Sequence, residues 1–208
     1  MAKICAFIGI KMELDSLVNP IELFNKWFRE AENKELRDPN AMQLATVSND
    51  GMPSVRTVLL KDIIDGNFVF YTNYESRKSD EILQTGKGAI CFYWKSLNRQ
   101  VRLVGNISKV SKEISDIYFS KRSRGSRIGA WASNQSRPVD SRQTLIDRVN
   151  DFEIKFKEDV PRPKHWGGFA LLPKEFEFWQ DGDFRLHDRF ILKPSKNSKL
   201  WEAKRYYP

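Results

Sequence analysis

The chain has 208 residues, 40% of them hydrophobic and 12% aromatic, with 35 Lys and Arg against 27 Asp and Glu for a net charge of +8. That length and apolar content suit one compact domain and exclude global disorder, and no uncharged run reaches the ~18–20 residues that a bilayer-spanning helix requires. Two cysteines (Cys5, Cys91) and two histidines (His165, His187) are too few for a disulfide framework or a histidine-rich metal centre, so no metal is expected and the thiols read as spare groups in a reducing cytoplasm.

In chain order, the Ile4–Ile10 run is short and is followed by Lys11-Met12-Glu13 where a cleavage site would need small residues, so no signal peptide is read. Asn19 is an N-cap candidate, Pro20 suits the first helical position, and Leu23, Phe24, Trp27, Phe28 and Ala31 recur at helical spacing as far as Glu35. The period then becomes two. Met42–Val47, the turn Asn49-Asp50-Gly51 and Ser54–Lys61 predict a hairpin, and Asp65-Gly66-Asn67 introduces a strand over Phe68–Thr72. A short helix is expected from a Ser79 cap to Thr85, stopped by Gly86, then strands over Gly88–Trp94 and Gln100–Val110. Ser111–Phe156 reads as helices broken near Arg124-Gly125 and Arg137-Pro138, and strand character returns over Gly167–Gln180, Phe184–Leu192 and Leu200–Arg205. The sum is an α+β domain, an antiparallel barrel-like sheet with helices inserted late.

Charge and motifs narrow the chemistry. Residues 94–142 hold eleven basic side chains against three acidic ones, a surplus equal to the whole net charge, so an anion is expected near that segment. No Gly-rich dinucleotide fingerprint, P-loop or Gly-x-Ser-x-Gly elbow is present, which leaves any phosphate to side chains and local backbone. Ser76-Arg77-Lys78 lies between a strand end and a helix start, where N–H groups, a hydroxyl and two cations can converge on a dianion. Tyr118, Arg122 and Ser126 recur every four residues and would share a face if one helix ran through them, and Lys61 ends a strand that could project into the same space. These cations come with hydroxyls and aromatics in place of acidic partners. In a strand, Arg185, His187 and Arg189 would share one face, an arrangement suited to an anionic or planar electron-rich ligand.

Eight motifs in register make the sequence from about residue 20 to Pro208 resemble the pyridoxamine 5′-phosphate oxidase family. They are Arg-Thr-Val-Leu-Leu-Lys (56–61), Phe-Tyr-Thr-Asn (70–73), Ser-Arg-Lys (76–78), Arg-Gln-Val (99–101), Ile-Gly-Ala-Trp-Ala-Ser (128–133) with Gln135-Ser136, Trp-Gly-Gly-Phe (166–169), Phe-Trp-Gln (178–180) and Arg-Leu-His-Asp-Arg-Phe (185–190). The resemblance implies an FMN-binding split β-barrel over residues 19–208, preceded by a variable segment at 1–18, and a cytoplasmic homodimer with FMN at the subunit interface. It implies flavin contacts from Arg56, Thr57, Val58, Leu59, Leu60, Lys61, Tyr71, Thr72, Gln100, Gln135, Ser136, Trp179 and Arg189, with Arg77 and Lys78 on the FMN phosphate. Lys61, Tyr118, Arg122 and Ser126 would bind the substrate phosphate, and Arg185, Leu186 and His187 the pyridine ring, with Arg185 and His187 catalytic. The implied reaction is oxidation of pyridoxamine or pyridoxine 5′-phosphate to pyridoxal 5′-phosphate by hydride transfer from C4′ to flavin N5, with O₂ reoxidising the flavin to give hydrogen peroxide. Where family members carry a basic, tyrosine-containing N-terminal lid, this chain has Met1–Ile10 with no Arg or Tyr. Two rival readings are another split-barrel flavoprotein (a flavin reductase or haem-linked protein), which would not need the substrate set, and a nucleic-acid binder, which would show a steep salt dependence. The oxidase reading expects no nucleic-acid and no membrane partner.

Overall fold

The computed structural model describes residues 12–196 and 198–208. Cys5, the signal-peptide reading and most of the expected variable segment and lid region lie outside these residues.

Helix α1 (Pro20–Lys34) starts where the sequence says it should: Asn19 Oδ1 accepts from the N–H groups of Ile21 (3.1 Å) and Glu22 (3.4 Å), and Pro20 occupies the first turn. Its inner stripe buries Phe24, Trp27 and Ala31, and Phe24 meets Phe68 and Phe92 edge-on at centroid distances of 4.9 and 5.1 Å. Strands β2 (Ala41–Val47) and β3 (Pro53–Leu59) form the expected hairpin. β4 (Asp62–Ile64) and β5 (Asn67–Asn73) form a second hairpin; β4 is too short to show a period in the sequence, as is β1 (Leu17–Val18). Helix α2 (Arg77–Thr85) begins three residues earlier than expected, after Ser76 in place of Ser79, and ends at Gly86 with φ 64°. β6 (Lys87–Trp94) and β7 (Arg99–Lys109) follow, β7 burying Val101, Leu103, Gly105 and Ile107 while Arg102, Val104 and Asn106 face out. The helical stretch resolves into α3 (Lys112–Ser120), α4 (Arg124–Ala132) and α5 (Arg142–Lys155), with its first break at 121–123. The chain ends in β8 (Trp166–Gln180), β9 (Asp188–Pro194) and β10 (Trp201–Arg205).

The strands form one antiparallel sheet in the order β1-β10-β9-β8-β7-β6-β2-β3, with β5 added to β8 and β4 to β5. β8 pairs with β7 along one edge, while its other edge is shared: residues 166–171 pair with β5 and 176–180 with β9. The division falls beside a bulge, where Val104 faces Glu175 and Gly105 faces Pro173, leaving Lys174 unopposed. A Cβ on Gly105 would lie 2.1 Å from Leu172 O, so only glycine fits there. The strands β3-β2-β6-β7-β8-β5 wrap round until β3 nears β5, but those two do not pair. The barrel is therefore split along the β3/β5 seam, where β3 keeps a free backbone edge.

Candidate active site

A cleft of about 1050 Å³ opens on that seam. β3 supplies Ser54–Leu59 and the following Lys61, β5 supplies Tyr71–Asn73, α2 brings Arg77 and Lys78, α3 brings Tyr118, the break after it Arg122 and α4 Ser126, with Gln135 and Ser136 from the loop after α4. Its volume lies at the upper end of the range common for small-molecule sites.

A cation cluster forms one end. Lys78 is buried, with Nζ donating to Gln135 Oε1 (2.8 Å), Ser76 Oγ (3.0 Å) and Thr72 Oγ1 (3.2 Å). Burial, together with the charge of Arg56 and against the pull of Glu81, lowers its pKa to about 8. Ser76 does not cap α2 with its side chain; its Oγ donates to Asn73 O at 2.7 Å, so the first N–H groups of the helix are left for another acceptor. Arg56 donates to Leu44 O (3.0 Å), Thr46 and Ser54. Beneath them is Glu81, buried at 3% exposure, 2.9 Å from Arg77 Nε and 3.5 Å from Arg56 Nη2. Burial alone would raise the pKa of this carboxyl, but hydrogen bonds from Ser54, Thr46 and Arg77 and the charge of Arg56 bring it down to about 2. The cations thus do have an acidic partner, contrary to the sequence reading. The signal was present in the helical i, i+4 spacing of Arg77 and Glu81.

An aromatic wall forms the other end. Tyr71 and Tyr118 stack at 3.8 Å with 6° between their planes, and Trp166 extends the stack 5.4 Å from Tyr71. Burial first, then the neighbouring Tyr118 and Asp62, pushes the Tyr71 phenol up to about 12, so it remains a hydrogen-bond donor at any working pH. The guanidinium of Arg122 sits 4.6 Å over the Trp166 ring, and its Nη1 is buried with no hydrogen-bond partner. Burial lowers its pKa, against the neighbouring Tyr118, yet an arginine keeps its charge here. Tyr118, Arg122 and Ser126 meet around the cleft although they do not share a helix: the break between α3 and α4 turns the chain, and Ser123 Oγ donates to Ser126 Oγ at 2.9 Å.

Two groups of expected residues lie elsewhere. Leu60 is 6% exposed and joins the hydrophobic core, so its side chain does not line the cleft. Gln100, Trp179 and Arg189 sit side by side across β7, β8 and β9, since Gln100 faces Trp179 and Trp179 faces Arg189. Trp179 stands eleven residues along β8 from Gly168, the residue opposite Tyr71, a contour of roughly 35 Å at ~3.3 Å per residue. In this second cluster Arg189 Nη2 donates to the buried Glu177 (2.9 Å), which also takes Arg102, and His187 stacks obliquely on Trp179 at 4.7 Å. His187 Nδ1 lies 3.1 Å from Gly182 N and 3.0 Å from Asp181 Oδ1, to which its N–H can donate. The strand expected over Phe184–Leu192 starts only at Asp188, so Arg185 does not alternate with His187 and Arg189. Residues 183–185 instead form a single 3₁₀ turn with left-handed Phe184 (φ 56°) and Arg185 (φ 63°), because the chain folds back on Gly182, where a Cβ would come within 2.2 Å of Leu186 O. Phe184, Arg185 and Leu186 are exposed.

Residues 28–156 match the family described as pyridoxamine 5′-phosphate oxidase, and the chain is 52% identical over 190 residues to the pyridoxine/pyridoxamine 5′-phosphate oxidase of Rhizobium etli, covering 91% of this chain and 92% of that one. The chain belongs to the pyridoxamine 5′-phosphate oxidase family. It is accordingly an oxidoreductase. The oxidase of the same description from Brucella canis is 51% identical over 91% of this chain and 94% of its own length. Residues 166–208 match a second family stretch, the pyridoxine 5′-phosphate oxidase C-terminal dimerisation region, which contains the whole Trp179–Arg189 part of the remote cluster. Among solved structures the chain is similar to PhzG from Burkholderia lata in complex with tetrahydrophenazine-1-carboxylic acid (28% identity, TM-score 0.87, 96% of this chain and 99% of that one). It shares its fold with a pyridoxamine 5′-phosphate oxidase-related, FMN-binding protein of Nostoc punctiforme (18% identity, TM-score 0.73, 92% and 98%). This family member has no helix long and apolar enough to cross a membrane among the described residues.

Proposed function

We propose that the chain oxidises pyridoxamine or pyridoxine 5′-phosphate to pyridoxal 5′-phosphate with FMN as cofactor and O₂ as acceptor, as a homodimer in which each site combines the cleft of one copy with the remote cluster of the other. The observation that carries this is the presence of two separate anion grips in one cleft. The Arg77–Lys78 cluster at the start of α2 suits a dianionic phosphate, and the partnerless Nη1 of Arg122 fits a second phosphate beside a flat aromatic wall. FMN and a pyridoxal-type substrate each bring one phosphate.

FMN, once bound, would supply the chemistry by taking hydride from substrate C4′ and passing the electrons to O₂. The chain's own residues bind and orient. Arg77 and Lys78, with the open N–H groups of α2, hold the flavin phosphate, and Arg56–Lys61, Tyr71, Thr72, Gln135 and Ser136 line the flavin, Leu60 through its backbone. Lys61, Tyr118, Arg122 and Ser126 hold the substrate phosphate, setting the distance from that anchor to C4′. Gln100, Trp179 and Arg189 of the second copy complete the flavin site, and its Arg185, Leu186 and His187 close over the pyridine. In the tautomer that donates Nδ1–H to Asp181 Oδ1, 3.0 Å away, His187 Nε2 carries the lone pair that can take the proton leaving the C4′ amine or hydroxyl.

The test is direct: protein reconstituted with FMN under anaerobic conditions should be bleached by pyridoxine 5′-phosphate and regain its yellow colour on admission of air. Failure to retain FMN, or a flavin that pyridoxine 5′-phosphate leaves oxidised, would reject the proposal.

A further inference from the structure

The acid beneath the cation cluster does not line the cleft itself, yet it is held from several sides. Glu81 is 3% exposed and receives hydrogen bonds from Thr46, Ser54 and Arg77, with Arg56 completing an ion pair at 3.5 Å. Those partners come from β2, β3 and α2, so one carboxylate ties the split edge of the barrel to the helix that carries Arg77 and Lys78. Arg77 is otherwise a solvent-facing side chain, 61% exposed, and would sample many rotamers without this anchor.

We propose that Glu81 is a positioning residue for the flavin phosphate: its buried carboxylate fixes the guanidinium groups of Arg56 and Arg77 and trims the cluster from three positive charges to two, matching a phosphate dianion. The proposal rests on the reading of the cleft as an FMN site.

Two effects oppose each other when this charge is removed. Three uncompensated cations would attract a phosphate more strongly, but Arg56 and Arg77 would lose the partner that orders them. Lys78 decides the balance. Its pKa is already near 8, lowered by burial and Arg56 and supported by Glu81; Thr72, Ser76 and Gln135 around it are neutral. Without Glu81 it moves further toward the neutral amine at working pH. The cluster then returns to two charges with one fewer ordered donor, so FMN binding weakens.

The experiment compares dissociation constants of FMN and riboflavin, which lacks the phosphate, for the apoprotein and for Glu81→Gln between pH 6.5 and 9. Wild type should prefer FMN, with affinity falling above about pH 8 as Lys78 loses its proton. Glu81→Gln should weaken FMN about ten- to hundredfold, leave riboflavin within about twofold, and begin its decline at lower pH. Ser54→Ala, which removes one donor from Glu81 at the exposed strand edge, should move FMN affinity the same way by a smaller factor and keeps the test open if Glu81→Gln does not fold. Equal loss of FMN and riboflavin affinity, or an unchanged FMN preference and pH midpoint in folded variants, would overturn the role of Glu81. A wild type that binds neither flavin would instead remove the FMN reading itself.

Discussion

On the proposed reading, Arg122 is a side chain held ready for a ligand at a cost to the folded protein. Its guanidinium is stacked on Trp166, yet Nη1 is buried without a partner, a group that costs ~1–3 kcal/mol when left unsatisfied. Arg122→Ala removes that penalty along with a cation–π contact of similar size, ~0.5–2 kcal/mol, so the melting temperature of the substrate-free protein should change little. KM for pyridoxine 5′-phosphate should rise about ten- to hundredfold, the value of a charge-assisted hydrogen bond to an anion, with a smaller effect on kcat. A KM unchanged in steady-state kinetics would take Arg122 out of the substrate site. The sequence made Arg122, Tyr118 and Ser126 visible through their four-residue spacing, but for a reason that did not survive: the three converge across a break between two helices instead of along one. Glu81 was missed because the expected helix began after Ser79, which left Arg77 outside it and hid the i, i+4 spacing of the pair.

At the level of elements, the α1 cap, the β2/β3 hairpin and the long β7 strand were legible because each has a local cause, whether a capping side chain, an Asn-Asp-Gly turn or alternation of buried and exposed residues. The 183–187 turn was not. Its residues alternate like a strand, and what overrides that pattern is the close approach of Gly182 to Leu186, a contact that appears only once the chain is folded. The bulge on β8 is similarly tertiary, and it gives a prediction. Gly105→Ala would set a methyl group 2.1 Å from Leu172 O, where backbone must move on both strands. The expected cost is about 2–3 kcal/mol, a melting-point drop of roughly 4–12 °C for a chain of this size. Gly125→Ala, at a helical position with nothing within 4 Å, serves as the control and should be neutral or slightly stabilising. Equal melting points for the two variants in a calorimetric scan would mean that the bulge is not fixed by that glycine.

For the whole molecule, half of the basic surplus of residues 94–142 is offset on folding. Arg99, Arg102, Arg124 and Arg127 pair with Glu30, Glu177, Glu153 and Asp159 from other parts of the chain, while Arg122 lines the cleft. Net charge therefore announced an anion without locating it. The separation of the two clusters was illegible too, since a sequence does not say which copy of a chain a residue serves. Subunit mixing tests the proposed division: chains carrying Arg122→Ala and chains carrying His187→Ala, each impaired alone, should recover about a quarter of wild-type activity when unfolded and refolded together, because random pairing leaves one intact site in every mixed dimer. No recovery, with mixed dimers verified by mass, would place both clusters in the same site of one copy.

The shared edge of β8 carries a genetic consequence. On the proposed pairing, β8 starts at its own copy's cleft near Trp166 and ends, at Trp179 and Gln180, in the cleft of its neighbour. A lesion at either end spares one of the two sites in a dimer formed with a normal chain and would behave as recessive. A lesion that shifts the whole strand, as at the Gly105 bulge, would silence both sites and be dominant whenever the altered chain still folds well enough to pair.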